Sequence, residues 1–316
     1  YYGKDERNVT HYYQTVEHNM LEEMTAELEA SAEYAQRREA IRAFNAQSPV
    51  LKKGLAMTPV KFGISFTATF LNQAGALIHV YTDGSIHLNH GGTEMGQGLN
   101  TKVAQVVAEV FQVDISRIQI TATNTDKVPN TSPTAASSGT DLNGKAAQNA
   151  AETIKGRLVD FLVSHFKVTP EDVQFKNDQV RVRDRFLSFE EVIQLAYFNQ
   201  ISLSSTGFYR TPKIFYDRDK AAGRPFYYFA YGMACCEVLV DTLTGEYRML
   251  RTDILHDVGA SLNPAIDIGQ VEGAFVQGMG WLTTEELVWN AKGKLMTNGP
   301  ASYKIPAIAD MPIDLR

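Results

Sequence analysis

The sequence predicts an α+β fold, on three observations. Strand-like runs cluster after residue 55, KFGISFTATF, GALIHVYTD and SIHLNH, without a helix after each. Two Ala- and Val-rich helical stretches, TKVAQVVAEVF and residues 143–163, each follow a loop of small residues. A later strand pair, FYYFAYGMACCEVLVD and YRMLRTDILHDVG, is joined only by a Thr244-Gly245 turn. Consecutive strands of this kind separate an α+β chain from a doubly wound sheet, in which each strand leads into a helix.

In chain order, residues 15–46 have helical periodicity, with Met20, Leu21, Met24 and Leu28 on one face, then Ile41 and Phe44, stopping before Ser48-Pro49. KGLAMTPV and KFGISFTATF read as two strands. Asp83-Gly84 reads as a two-residue hairpin turn between the next pair. A helix over 101–112 leads to a strand, RIQITAT, and a long polar stretch, NTDKVPNTSPTAASSGTDLNG, before the helix over 143–163. Thr169-Pro170 starts a short helix, QVRVR is a strand, and SFEE opens a helix with Ser188 as cap and Glu191 three residues on. Asn263-Pro264 starts the last helix, with DIGQVEGAFVQGMGWLTTEEL as its body.

The 316 residues are 44% hydrophobic and 21% charged, enough for two compact subdomains. A net charge of -6, without a basic stripe longer than AQRREAIR, argues against nucleic acid. No apolar run reaches the roughly 20 residues of a membrane span. Cys235 and Cys236, adjacent in one strand, offer neither a disulfide framework nor a thiolate metal site, and buried thiols in a reducing compartment are the simpler reading. The opening YYGKDERNV has no Met, and the ending MPIDLR has no cap, so a piece of a longer polypeptide is expected.

Three places could carry chemistry. GGTEMGQG, residues 91–98, precedes a helix; its glycines let the backbone approach a ligand, and the helix start favours an anion. Gln97 adds directed donors and acceptors. The pattern is neither a Walker loop nor GxGxxG, and a ligand-free strand-to-helix turn explains it equally well. TSPTAASSGTDLNG repeats the logic with hydroxyls, Thr134 to Ser138 ahead of a helix, against the alternative of a Ser-rich surface connection. Glu272 falls on a helical face with Ile268, Gly269, Phe275 and Val276, which implies a buried carboxylate suited to general-base work. A solvent-facing Glu amid packing glycines is the competing account. His79, His87, His90 and His256 lack metal-ligand spacing and read as strand-surface or core residues.

KFGISFTATFLNQAGALIHVYTDG, LNHGGTEMGQGLNTK, PNTSPTAASS, GFYRTP, RTDILHDVGASLNPAIDIGQVEGAFVQGMG and GPASYKIPA together resemble the molybdopterin-binding part of the molybdenum hydroxylase family. The resemblance covers nearly the whole chain, most weakly between 160 and 200. It implies an elongated, two-subdomain α+β molybdenum domain, here a fragment: residues 1–54 as a helical link from a preceding part and 55–316 as a truncated second molybdopterin-binding subdomain. It implies cofactor contacts from Met95, Gly96 and Gln97 and from Thr134, Ala135, Ala136 and Ser137, with the pterin phosphate as the anion. Phe66 and Thr67, with Ala135 and Ala136, match a purine pocket. Glu272 matches the family's catalytic base, and no side chain of this chain would ligate molybdenum directly, the metal being held through the pterin.

The implied reaction is hydroxylation of hypoxanthine and xanthine to urate, with electrons leaving through 2Fe-2S clusters and FAD to NAD. Those groups would sit in partner modules of a cytoplasmic dimer of heterodimers. The remainder of the molybdenum subunit, with further purine-site residues, is a required partner, so this chain alone is expected to be inactive. An aldehyde-oxidising relative would share the loops and the base; a non-catalytic module binding a phosphorylated ligand would share only the loops.

Overall fold

The computed structural model describes residues 2–128 and 130–316. It begins with helices α1 (Leu21–Ser31) and α2 (Tyr34–Gln47), then strands β1 (Leu51–Ile64), β2 (Gln73–Val80) and β3 (Ile86–His90), helix α3 (Leu99–Phe111), strand β4 (Ile118–Ile120) and helix α4 (Gly139–Phe166). A small antiparallel sheet follows, β5 (Val173–Lys176), β6 (Gln179–Val182) and β7 (Arg185–Ser188), then helix α5 (Phe189–Phe198) and strands β8 (Ser204–Arg210), β9 (Phe215–Asp217) and β10 (Ala222–Arg224). The last elements are β11 (Tyr228–Asp241), β12 (Tyr247–His256), α6 (Pro264–Leu282) and β13 (Asp314–Leu315). The mixture of helices and mainly antiparallel sheets is the α+β class expected.

The chain divides into two compact units. The first comprises Tyr1–Asn8, Val16–Phe62 and Phe229–Arg316, the second Val9–Thr15 and Gly63–Tyr228. The expected boundary at 54–55 is not where this division falls, because α1 and α2 pack with the first unit's sheet. That sheet has the order β1-β11-β12-β13. KGLAMTPV and the start of KFGISFTATF form one long strand rather than two. The helical segment is broken at Glu33, whose backbone is left-handed at φ 54. The break brings the Glu33 carboxylate to Arg251, 3.0 Å away, and sends Arg37 onto β11 and β12. There Arg37 bonds Glu237 at 3.0 Å and Asp253 at 2.8 Å, all three side chains nearly buried. Leu28, Ala32, Met233 and Cys235 form the small core beside this network. Burial pushes the thiols of both cysteines up, Cys235 being buried as expected and Cys236 half-buried.

The second unit carries the larger core. Its sheet has the order β4-β3-β2-β8, with β3 antiparallel to β2 and parallel to β4. Alternate positions Ala76, Ile78, Ile86 and Leu88 face helices α3 and α4. Helix α3 answers with Leu99, Val103, Val107 and Phe111, each four residues apart and almost fully buried. Helix α4 answers with Ala146, Ala150, Ile154, Leu158 and Leu162 on the same spacing. Small residues at its start let the sheet come close: a Cβ on Gly207 of β8 would stand 2.0 Å from the Ala146 carbonyl oxygen. This close packing seats the second and third turns of α4 against β8. The hairpin connection is five residues long, 81–85, with Asp83 at its tip accepting from the Ser85 amide at 2.9 Å. The Ser188 cap works as read, with reciprocal bonds of 3.1 and 2.7 Å to Glu191.

Candidate functional site

Three segments of the second unit meet. The GGTEMGQG loop continues β3 into α3, and the TSPTAASS loop enters α4; the Thr93 amide donates to Thr134 Oγ1 at 2.8 Å. Gly91 lies so close to the second loop that a Cβ would fall 2.1 Å from Thr131 Oγ1, and one on Gly92 would fall 2.7 Å from the Asn143 side chain of α4. The paired glycines are thus required by close approach. The third segment, residues 65–73, joins through Gln73: Ser132 Oγ donates to its carbonyl at 3.1 Å, and Asn130 Nδ2 to its side chain at 3.0 Å. Met95, Gly96, Gln97, Thr134, Ala135, Ala136, Ser137, Phe66 and Thr67 therefore all belong to one linked set of segments. Pro129, which begins the PNTSPTAASS run, lies outside the described residues.

The first loop differs from the open anion cradle expected. Its amides are already taken, because Glu94 Oε1 accepts from Gly96 and Gly98 at 3.0 Å each and Oε2 accepts from Asn100 at 2.9 Å. The carboxylate, two to six residues ahead of these amides, reaches forward to the start of α3 and occupies the donors that an anion at the helix start would use. Partial burial opposes its charge, yet the amides of Asn100, Gly98, Gly96 and Gln97 hold it below the usual carboxylate range. Gln97 also turns inward, accepting from the Met95 amide at 2.5 Å and donating to the Thr93 carbonyl at 2.9 Å. Its side chain supports the loop. The tip is left open: Met95 is 67% exposed, and a Cβ on Gly96, whose φ is +96, would meet nothing within 4 Å.

Below the loop, His90 is buried at 2% exposure, and its Nδ1 accepts from the Gly92 amide at 3.1 Å. Burial pushes its pKa down, against the opposing pull of Asn100 and Glu94, so the ring is neutral with the proton on Nε2. His79 and His87 stack across the β2–β3 pair, ring centroids 5.9 Å apart. Among the described residues no three His, Cys, Asp or Glu side chains cluster as a metal site.

The second loop contains two consecutive non-glycine residues in the left-handed region, Ala136 at φ 57 and Ser137 at φ 54. Such conformations cost about 1–2 kcal/mol each and persist where the surroundings enforce them, often at ligand sites. The helix begins at Gly139, earlier than the expected 143, so Asp141 lies in its first turn. Tyr228 donates to Asp141 Oδ2 at 2.7 Å. Burial raises Asp141 above its ordinary value, partly offset by this bond and by Lys145, and burial together with the Asp141 charge raises Tyr228.

The third segment is held by Asn72, 2% exposed, which no pattern in the sequence singles out. It accepts from the Phe66 amide at 2.8 Å and donates to the Phe66 carbonyl at 2.9 Å, clamping the backbone of the expected ring contact. Ser65, at φ 142, is bent into the sparse region just before it, and its Oγ accepts from Tyr227 at 3.3 Å.

Glu272 lies in the first unit, on α6, and is exposed rather than buried. The helix packs at its far end, where Met279 and Gly280 are buried. Gly269 and Gly273, beside Glu272, would carry a Cβ into open space, and Ile268 is 59% exposed. Of the apolar neighbours that predicted burial, Phe275 and Val276 are half-buried while Ile268 is exposed, and the carboxylate itself stays exposed.

The fold recurs in solved proteins. Quinoline 2-oxidoreductase from Pseudomonas putida 86 superposes with a TM-score of 0.83 over 98% of this chain and 40% of that one; at 21% identity this shows a shared fold. The sequence then fixes the family: residues 27–312 match the model of the molybdopterin cofactor-binding domain, and the chain belongs to that family. Xanthine dehydrogenase/oxidase of Mus musculus is 50% identical over 311 residues, 98% of this chain and 22% of that protein. Xanthine dehydrogenase of Dictyostelium discoideum is 48% identical over 312 residues, again 98% of this chain and 22% of that protein. The chain thus spans about a fifth of the length of these relatives. The site's features fit such a cofactor: an exposed Met95, open space at Gly96 and hydroxyls on a strained second loop.

Proposed function

We propose that this chain is the molybdopterin-binding part of a xanthine dehydrogenase that oxidises hypoxanthine and xanthine to urate. The observation that carries the reading is the meeting of the 65–73, 91–98 and 130–138 segments in the second unit. Met95, Gly96 and Gln97, with Thr134, Ala135, Ala136 and Ser137, hold the cofactor; Phe66 and Thr67, with Ala135 and Ala136, receive the purine. When bound, the molybdenum cofactor supplies Lewis acidity and accepts the electron pair of the oxidation. The Phe66 ring, its backbone clamped by Asn72, offers a flat apolar contact to the purine. Ala135 and Ala136 leave room for the ring edge. Glu272, by its match to the family's motif, takes the proton from the hydroxyl that adds to the purine carbon. Iron-sulfur clusters and FAD in partner modules, NAD as acceptor, a cytoplasmic setting and a dimer of heterodimers complete the proposal. The high identity to xanthine dehydrogenases supports it, and no helix among the described residues is long and apolar enough to cross a membrane.

The test is a full-length protein containing this chain, assayed for bound molybdenum and pterin and for xanthine-dependent urate formation with NAD. Glu272→Gln should keep the cofactor and lower kcat by about 100-fold or more, the range for losing a general base. Normal turnover in that variant, or aldehyde oxidation without purine oxidation in the parent, would overturn the assignment.

A further inference from the structure

We propose that Glu94 is a positioning residue for the cofactor contacts: its carboxylate is the built-in anion around which residues 94–100 fold, and it holds Met95 and Gly96 outward. The inference rests on the reading that this loop meets the cofactor, and it adds a residue that the motif reading passed over.

The geometry asks for a carboxylate of this length. Three amides converge on two oxygens, Gly96 and Gly98 on Oε1 and Asn100 on Oε2. An amide side chain has one acceptor oxygen, so Gln at this position would turn an NH2 group toward one of the donors. Asp is one methylene too short to reach Asn100 across the turn. Gly96 and Gly98 take φ +96 and +76, a left-handed backbone that glycine adopts without steric cost and that turns both amides onto the same carboxylate oxygen. The supporting bonds are fixed from the other side by Thr134 Oγ1 on the Thr93 amide and His90 Nδ1 on the Gly92 amide. The loop is therefore tied down at its entry; Gln97 braces the Thr93–Met95 side of the arch, and Glu94 ties Gly96, Gly98 and Asn100 on the side that leads into α3. A second anion at these amides would meet a carboxylate already in place, so the loop's contact with the cofactor is made by neutral groups at the tip.

The experiment uses the full-length protein. Glu94→Ala should raise hydrogen exchange at the Gly96, Gly98 and Asn100 amides by about 10-fold or more in cofactor-depleted protein. The same variant, purified after normal assembly, should retain less than about a fifth of the wild-type molybdenum, and Glu94→Gln should fall between. Added formate should restore protection and molybdenum content to Glu94→Ala, a rescue that a bulk packing role would not show. If Glu94→Ala does not fold, the graded Glu94→Gln and Glu94→Asp variants carry the same comparison. Gly96→Val separates the two claims. If Gly96→Val loses molybdenum while Glu94→Ala keeps it, or if exchange at the three amides is unchanged, the role assigned to Glu94 is wrong. If Gly96→Val keeps full molybdenum, the loop does not meet the cofactor, and both readings fall.

Discussion

Replacing Asn72 by Ala removes the acceptor of the Phe66 amide and the donor to two carbonyls, those of Phe66 at 2.9 Å and Thr69 at 3.2 Å. Asn72 itself is 2% exposed, so the bonds form in a largely dry place. One unmet buried donor costs about 1–3 kcal/mol, and each lost neutral bond about 0.5–1.5 kcal/mol. Phe66 is half-buried, and water can reach its carbonyl once the clamp is gone, which brings the expected loss of local stability to about 2–3 kcal/mol. At tenfold per 1.4 kcal/mol, that is roughly a 30- to 150-fold rise in local opening. Hydrogen exchange at the Phe66 amide reads this directly. Asn72→Asp, which keeps the acceptor and loses the donor, should lie between. An exchange rate within about 3-fold of the parent would show that the clamp does not hold the segment, and the argument from Asn72 to Phe66 would fail.

Arg37→Met should lower stability of the first unit by about 2–4 kcal/mol in chemical unfolding, because it leaves Glu237 and Asp253 nearly buried with only Lys53 and Arg251 to balance them; a loss under about 0.5 kcal/mol would mean those two cations suffice. Asp141 is raised above the ordinary 3.8 by burial, so its contribution to stability is fully present below that value and is lost as pH rises through its folded pKa. Asp141→Asn, which keeps an acceptor for Tyr228, should therefore be more stable than the parent at pH 7, with the gap closing below about pH 4 in parallel melts. The reverse slope would sink the assignment. Glu94 runs the other way: its lowered pKa means that the folded loop keeps its advantage above the ordinary 4.5 and loses it as the solution is acidified through the folded value. Exchange at the Gly98 amide, corrected for intrinsic rates, should rise on acidification in the parent and stay flat in Glu94→Ala.

Element types were legible because periodicity and turn chemistry act locally. The stripes of α3 and α4, the Ser188–Glu191 cap and the Thr244-Gly245 hairpin each need only residues a few positions apart. What was not legible depends on long-range contact. KGLAMTPV and KFGISFTATF read as two strands across Pro59, but the neighbouring β11 keeps one continuous strand. The break at Glu33 is tied to an ion pair with a residue more than two hundred positions away. At the site, the glycines marked the loop, but the same glycines fit an empty cradle or a filled one. Only the position of the Glu94 side chain distinguishes them. Asn72 left no local trace, because a clamp across six residues has no repeating pattern. Glu272 shows the limit of a helical wheel: apolar neighbours predict a covered face, but they cannot supply the cover.

Most of the second unit is, in chain terms, a long excursion that departs at Gly63 and returns at Tyr228, with Val9–Thr15 as a separate short segment of the same unit. Its two ends are stitched together: the Tyr227 amide donates to the Ile64 carbonyl at 3.2 Å, while Gln14 bonds both the amide and the carbonyl of Phe226. An excursion whose entry and exit are neighbours can be lengthened, trimmed or exchanged between proteins without rewiring its host. The excursion therefore offers a natural module for transplantation, with cuts placed at those two stitched ends and Val9–Thr15 carried along to keep the Gln14–Phe226 bonds.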